Sequence, residues 1–163
     1  MPVSIVSDII RRTRQHHAIE HATIHLLSSR FPDKHFSGIS DLNGFTIYGN
    51  IGSEELRQTV GVALLRLQAG EEGLAIHPNC GTNLATTGIL VTLIAVLTTP
   101  IKRHPIDRFT MLLPLMAGAL IASRPLGLHL QKYTTLSNVS DRWVRDISIV
   151  QIGNVTAHRV TFE

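Results

Sequence analysis

His17, Glu20 and His21 form an H-x-x-E-H pattern. On an α-helix, at about 100° per residue, they project at about 0°, 300° and 40°, from one face of the cylinder. Two imidazoles at i and i+4 can chelate one metal ion, and the carboxylate between them can then polarise a metal-bound water. This is the inverted order of the H-E-x-x-H pattern of zinc proteases. His25 continues the stripe at about 80°, whereas His16 points away and is expected at the surface. Further along, His77-Pro78-Asn79-Cys80 sets an imidazole and a thiol three residues apart across a turn. That donor pair suits a borderline ion such as zinc. Histidine is abundant throughout, nine residues in 163, and it is the commonest metal ligand.

A helix must carry the stripe, and residues 4–30 supply one. Ile5, Ile9, Ile10, Ala18, Ile24 and Leu27 recur at an approximately helical period, and Phe31-Pro32-Asp33 stops it. Residues 35–51 read as a β-hairpin turned at Asn43-Gly44, the type I′ dipeptide, with Phe45, Ile47 and Ile51 inward against Phe36 and Ile39. Ser53 is the expected N-cap of a second helix, with Glu54 and Glu55 in its first turn and its end near Gln68, before Gly70. Residues 143–152 and 155–163 alternate apolar and polar side chains around Gly153-Asn154, a second hairpin. A lone hairpin is marginal in water. The two are therefore expected to pair into one small sheet under the first helix.

Between these elements, residues 80–101 run without a formal charge, long enough to cross about 30 Å of hydrocarbon as a helix. Residues 109–123 are a shorter apolar run, extended through Leu130 if Arg124 snorkels to the interface. The loop at 102–108 carries Lys102, Arg103 and Arg108. The pattern predicts a transmembrane helical hairpin, with Thr86, Thr87, Gly88 and Thr92 facing Ala117, Gly118 and Ala119 in close packing. The competing expectation is a buried helical pair in a soluble protein. A hairpin returns the chain to the side it left, so both termini share one compartment. The expected fold is an α+β membrane protein: residues 1–80 as the metal-binding half of a polar domain, 81–131 as the membrane hairpin, and 132–163 completing the polar domain.

Composition fits this. Charged residues make up 17%, against about 25% in ordinary soluble domains. A single cysteine allows no internal disulfide. The net charge of +3 comes largely from arginines scattered along the chain, too sparse for a duplex footprint, so no nucleic acid is expected as a partner. The expected location is a bacterial inner or internal membrane, with the lipid bilayer itself as partner. The basic loop favours the cytoplasm by the positive-inside tendency, whereas a reduced Cys80 would place the histidine-bearing domain there instead.

HAIEH at 17–21, AGEE at 69–72 and HPNCGT at 77–82, followed at once by an apolar span, resemble the HGAEH, EAGEE and HPRCGT elements of the YqhQ-like bacterial membrane proteins. That family is uncharacterised and described as predicted metal-dependent enzymes. The resemblance covers residues 14–100 and leaves out the hairpin at Asn43-Gly44 and the C-terminal strands. It implies a metal site drawn from His17, Glu20, His21, Glu71 or Glu72, His77 and Cys80.

Two geometries of that site carry different functions. With His17, His21 and one of Glu71 and Glu72 as ligands, a fourth position stays open and Glu20 is the general base of a zinc-dependent, peptidase-like hydrolase. With His77 and Cys80 completing the set, the site is closed and structural. That suits a non-catalytic accessory or assembly subunit of a membrane complex. A third arrangement needs no metal: Cys80 as nucleophile, a histidine as base and Glu20 orienting it.

Overall fold

A computed structural model of the protein describes residues 2–98, 104–153 and 155–163. The elements run α1 (Pro2–Arg30), β1 (Ser37–Asp41), β2 (Gly44–Tyr48), α2 (Ser53–Gln68), a 3-10 turn (Glu72–Ala75), α3 (Gly81–Thr98), α4 (Pro105–Thr134), β3 (Val144–Ile152) and β4 (Val155–Phe162). The class is α+β, and both hairpins join one antiparallel sheet in the order β1-β2-β4-β3. The chain divides into two compact units, Met1–His77 with Tyr133–Glu163, and Pro78–Lys132. Met1, Asn154 and residues 99–103, which include Lys102 and Arg103 of the basic loop, lie outside the described residues.

In the first unit, α2 presents Leu56, Val60, Ala63, Leu64 and Leu67 at helical spacing, all buried. Across from them α1 buries Ala18, Ile19, Ala22 and Leu27, and one face of the sheet buries Phe45, Ile47, Ile147, Val160 and Phe162. Each large side chain removed from water contributes about 1.5–3 kcal/mol. Ile5, Ile9 and Ile10, expected to share in the helical period, are exposed. The buried face of α1 starts only at Gln15, where the sheet begins to cover it.

Several local expectations change. The first hairpin turns at Leu42-Asn43, because Asp41 pairs with Gly44. The Asn43 N–H donates to the Asp41 carboxylate at 2.8 Å, a local Asx bond in place of the type I′ geometry. Gly44 is the first residue of β2, with φ +153°. A Cβ there would lie 2.0 Å from the Val160 carbonyl oxygen of β4. Ile39 faces outward and is exposed, since Phe45 and Ile47 share their face with Ser40 and Gly38. Gly52, not Ser53, occupies the α2 N-cap. The Ser53 hydroxyl pairs instead with His158 Nε2 at 3.1 Å. His16, expected at the surface, is buried under the sheet. Its ring stacks on Phe162 with centroids 5.0 Å apart, and its Nδ1 donates to the Asp41 carbonyl at 2.9 Å.

In the second unit, α3 and α4 are each long and apolar enough to cross a membrane. Their large side chains point outward: Leu84, Ile89, Val96, Leu97, Leu113, Leu120 and Ile121 are exposed. The polar residues lie between the helices. Gln131 Nε2 donates to Asn83 Oδ1 at 3.0 Å, and Thr87 Oγ1 donates to Ser123 Oγ at 2.9 Å. Gly127 fits against Asn83, whose Oδ1 would lie 2.3 Å from an added Cβ. Gly88 and Gly118, expected on the packing face, have open space around them. Side chains that can hydrogen-bond across the pair therefore set the contact, and smallness alone does not. The second apolar helix also continues past Arg124 and contains Pro114 and Pro125 within it.

Candidate metal centre

The end of α2 delivers the second wall of the site. Ala69 caps the helix, and Gly70, at φ +92°, turns the chain back. The 3-10 turn then packs against α1, with Ala75 buried in the core. This brings the carbonyls of Ala75 and Ile76, and the side chain of His77, to the histidine stripe of α1. Ring centroids are 4.3 Å apart for His17–His21, 5.8 Å for His21–His77 and 4.6 Å for His25–His77. Four imidazoles from two chain segments therefore form one cluster within the first unit.

Backbone carbonyls fix the protons of three of them. His21 Nδ1 meets the Ala75 carbonyl at 2.7 Å. His17 Nδ1 meets that of Thr134 at 3.1 Å, and His25 Nε2 meets that of Ile76 at 2.7 Å. A carbonyl oxygen only accepts, so the ring nitrogen facing it must carry the hydrogen. In the neutral ring the lone pair then resides on Nε2 of His17 and His21 and on Nδ1 of His25. Metal-ligating histidines are oriented in this way, one nitrogen donating to an outer acceptor and the other turned to the ion. The His77 ring is held neutral: burial, followed by the neighbouring His25 and His21, lowers its pKa to about 4.

Glu20 is buried on the adjacent face of α1 and is directed at β1. The Ser40 hydroxyl donates to its carboxylate. A Cβ on Gly38 would lie 2.5 Å from its Oε1. The inward face of β1 is small and polar because it receives this carboxylate.

In the first unit, His17 and His21 each offer a ring nitrogen within one histidine group that could take part in binding a metal ion. Cys80, the single cysteine of the chain, is buried three residues along from His77 and belongs to the second unit. Neither glutamate implied as a ligand joins that group. Glu71 forms an exposed ion pair with Arg66, whose Nε donates to Glu71 Oε1 at 2.8 Å, and that guanidinium holds the Glu71 carboxyl below its usual range. Glu72 is exposed at the start of the 3-10 turn. Sequence reasoning missed the three carbonyls, and it missed Gly38 and Ser40. Those two were legible in principle, since β1 alternates small and polar residues on the face shared with Phe45 and Ile47.

Fold and site together define an α+β chain with a histidine cluster on its longest polar helix and two helices long enough to cross a membrane. The chain belongs to the family described as Domain of unknown function (DUF6391), whose model matches residues 12–147. An uncharacterised protein of Picosynechococcus sp. is 41% identical over 86 residues, which cover 47% of this chain and 42% of that protein. The chain thus spans less than half the length of that curated relative. No solved structure matches it.

Proposed function

We propose that the chain is an integral membrane protein whose histidine cluster holds a divalent transition metal, zinc foremost, and that it serves a membrane complex as a non-catalytic accessory subunit. The observation that carries the metal reading is the fixing of the His17, His21 and His25 tautomers by backbone carbonyls. His17 and His21 are donors of this reading, with His77 beside them, and Cys80 is the further donor that the HPNCGT motif implies. Nitrogen and thiolate donors favour zinc among the available ions. The likeness of the HAIEH and HPNCGT motifs to YqhQ-like proteins supports the same donors. The outward leucines and isoleucines of α3 and α4 support the membrane reading, because a soluble protein rarely exposes apolar surface on that scale.

The accessory role is preferred to the hydrolase role because of Glu20. A general base must reach the attacking water, and this carboxylate is engaged by Ser40 and fitted to Gly38. Metal content of the purified full chain, measured by mass spectrometry, tests the reading. About one ion per chain is expected in the wild type and in Glu20→Gln, Glu71→Gln and Glu72→Gln, with loss in His21→Ala and Cys80→Ser. A metal-replete wild type that carries no ion ends the metal reading. Peptide hydrolysis by the wild type that disappears in Glu20→Gln would restore the hydrolase.

A further inference from the structure

At the Pro78 end of the helical hairpin, α3 and α4 part around an open cleft of about 510 Å³. Its polar lining comes from Asn79, Asn83, Thr87, Ser123 and Arg124. Arg124 brings the formal charge. Among the described residues it has no ion-pair or hydrogen-bond partner, and the one carboxylate of the second unit, Asp107, lies in the first turn of α4, at the opposite end of the hairpin. The hydroxyl protons of Thr87 and Ser123 are spent within the helix pair, but a guanidinium left without a carboxylate beside the Asn83 carboxamide makes a site for an oxyanion, phosphate above all.

The surroundings indicate where that phosphate comes from. Residues 109–123 give about 22 Å of apolar helix before Arg124, at 1.5 Å per residue. That length leaves the Arg124 backbone about 8 Å inside a hydrocarbon core about 30 Å thick, within reach of the boundary for a snorkelling guanidinium. Leu84 lines the cleft, and it and Ile121 are among the most exposed large apolar side chains of the described residues, at 76% and 77%. A phosphate in the cleft can thus be continuous with acyl chains lying along those side chains.

We infer that the cleft between α3 and α4 is a headgroup site for an anionic phospholipid, its phosphate bound by Arg124 and hydrogen-bonded by the second N–H of the Asn83 carboxamide, the first being given to the Pro78 carbonyl. The inference rests on the membrane reading above. Full-length protein is reconstituted into bilayers of phosphatidylcholine with a minority of phosphatidylglycerol, then released, and its co-purifying lipids are counted by native mass spectrometry. The wild type should retain phosphatidylglycerol with about fivefold preference over its share of the bilayer, the size expected for one basic residue at an anionic surface. Arg124→Gln should retain the two lipids in proportion to the bilayer, and Arg124→Lys should keep part of the preference. Circular dichroism of each variant reports that the helices have formed. Wild type that inserts but shows no preference, or Arg124→Gln that keeps it, overturns the inference and leaves the membrane reading intact. Inorganic phosphate that strips the retained lipid and itself binds the lipid-free protein would make free phosphate the ligand and overturn the lipid assignment. Protein that stays soluble without detergent and never enters the bilayer fails the membrane reading instead.

Discussion

Burial holds three histidines of the first unit below their ordinary pKa: His16, His158 and His77, the last at about 4. Such a group resists protonation in the folded chain while accepting it in the unfolded one. Between an ordinary imidazole value of about 6.5 and the lowered folded value, the unfolded state therefore binds more protons, and stability rises with pH. The metal-free protein should be fully stable above about pH 6.5 and lose stability as the pH falls toward about 4. Urea unfolding at a series of pH values reads this directly. His158→Gln, which removes one of the three groups, should flatten the slope, and a wild-type midpoint level across the window would contradict it. The residue types of the cluster were legible because H-x-x-E-H is a local, periodic pattern. The protonation of each ring was not, since it depends on carbonyls 54, 51 and 117 residues away.

The element that most constrains the site is β1. Its inward positions, Gly38 and Ser40, pair with Ile47 and Phe45 of β2, yet they contribute no apolar area because Glu20 of α1 occupies that space. Gly38→Ala is expected to destabilise the fold by about 1–3 kcal/mol, the usual cost of forcing a methyl group into a filled interior. Chemical denaturation checks it. An unchanged midpoint would mean that α1 and β1 do not pack as closely as the Glu20 carboxylate requires. Helix extents were largely readable, α1 ending at Arg30 and α2 at Gln68 as expected, since helical period and terminators act within a few residues. The hairpin turn was not. Asn43-Gly44 is the strongest local turn dipeptide, but Gly44 is needed in the strand for the close approach of β2 to β4, and that tertiary contact moved the turn by one residue.

At the scale of the whole molecule, the first unit is assembled from both ends of the chain, with the apolar helices contributed by the residues between. If α3 and α4 cross a bilayer as a hairpin, single-cysteine reporters at residue 7 and residue 163, in a Cys80→Ser background, must react with an impermeant thiol reagent from the same side. Labelling from opposite sides would exclude the hairpin. The uncharged run at 80–101 announced α3 clearly. The second helix was harder to delimit, because Arg124 and Pro125 interrupt the apolar pattern while the helix runs on to Thr134. A bilayer-spanning helix tolerates proline where neighbours meet the released backbone groups.

The sequence by itself determined which side chains share the face of α1, where the two long apolar helices lie, and that the strands form hairpins. Each of these follows from periodicity and local chain chemistry over one or two turns. Only the tertiary structure decided which nitrogen of His17, His21 and His25 carries the proton, that Glu20 belongs to Ser40 and Gly38, that Glu71 is taken by Arg66, and that His16 is buried. Those outcomes depend on contacts between distant segments, and a hydrogen-bond acceptor supplied by the backbone leaves no mark in the identity of the residue that provides it.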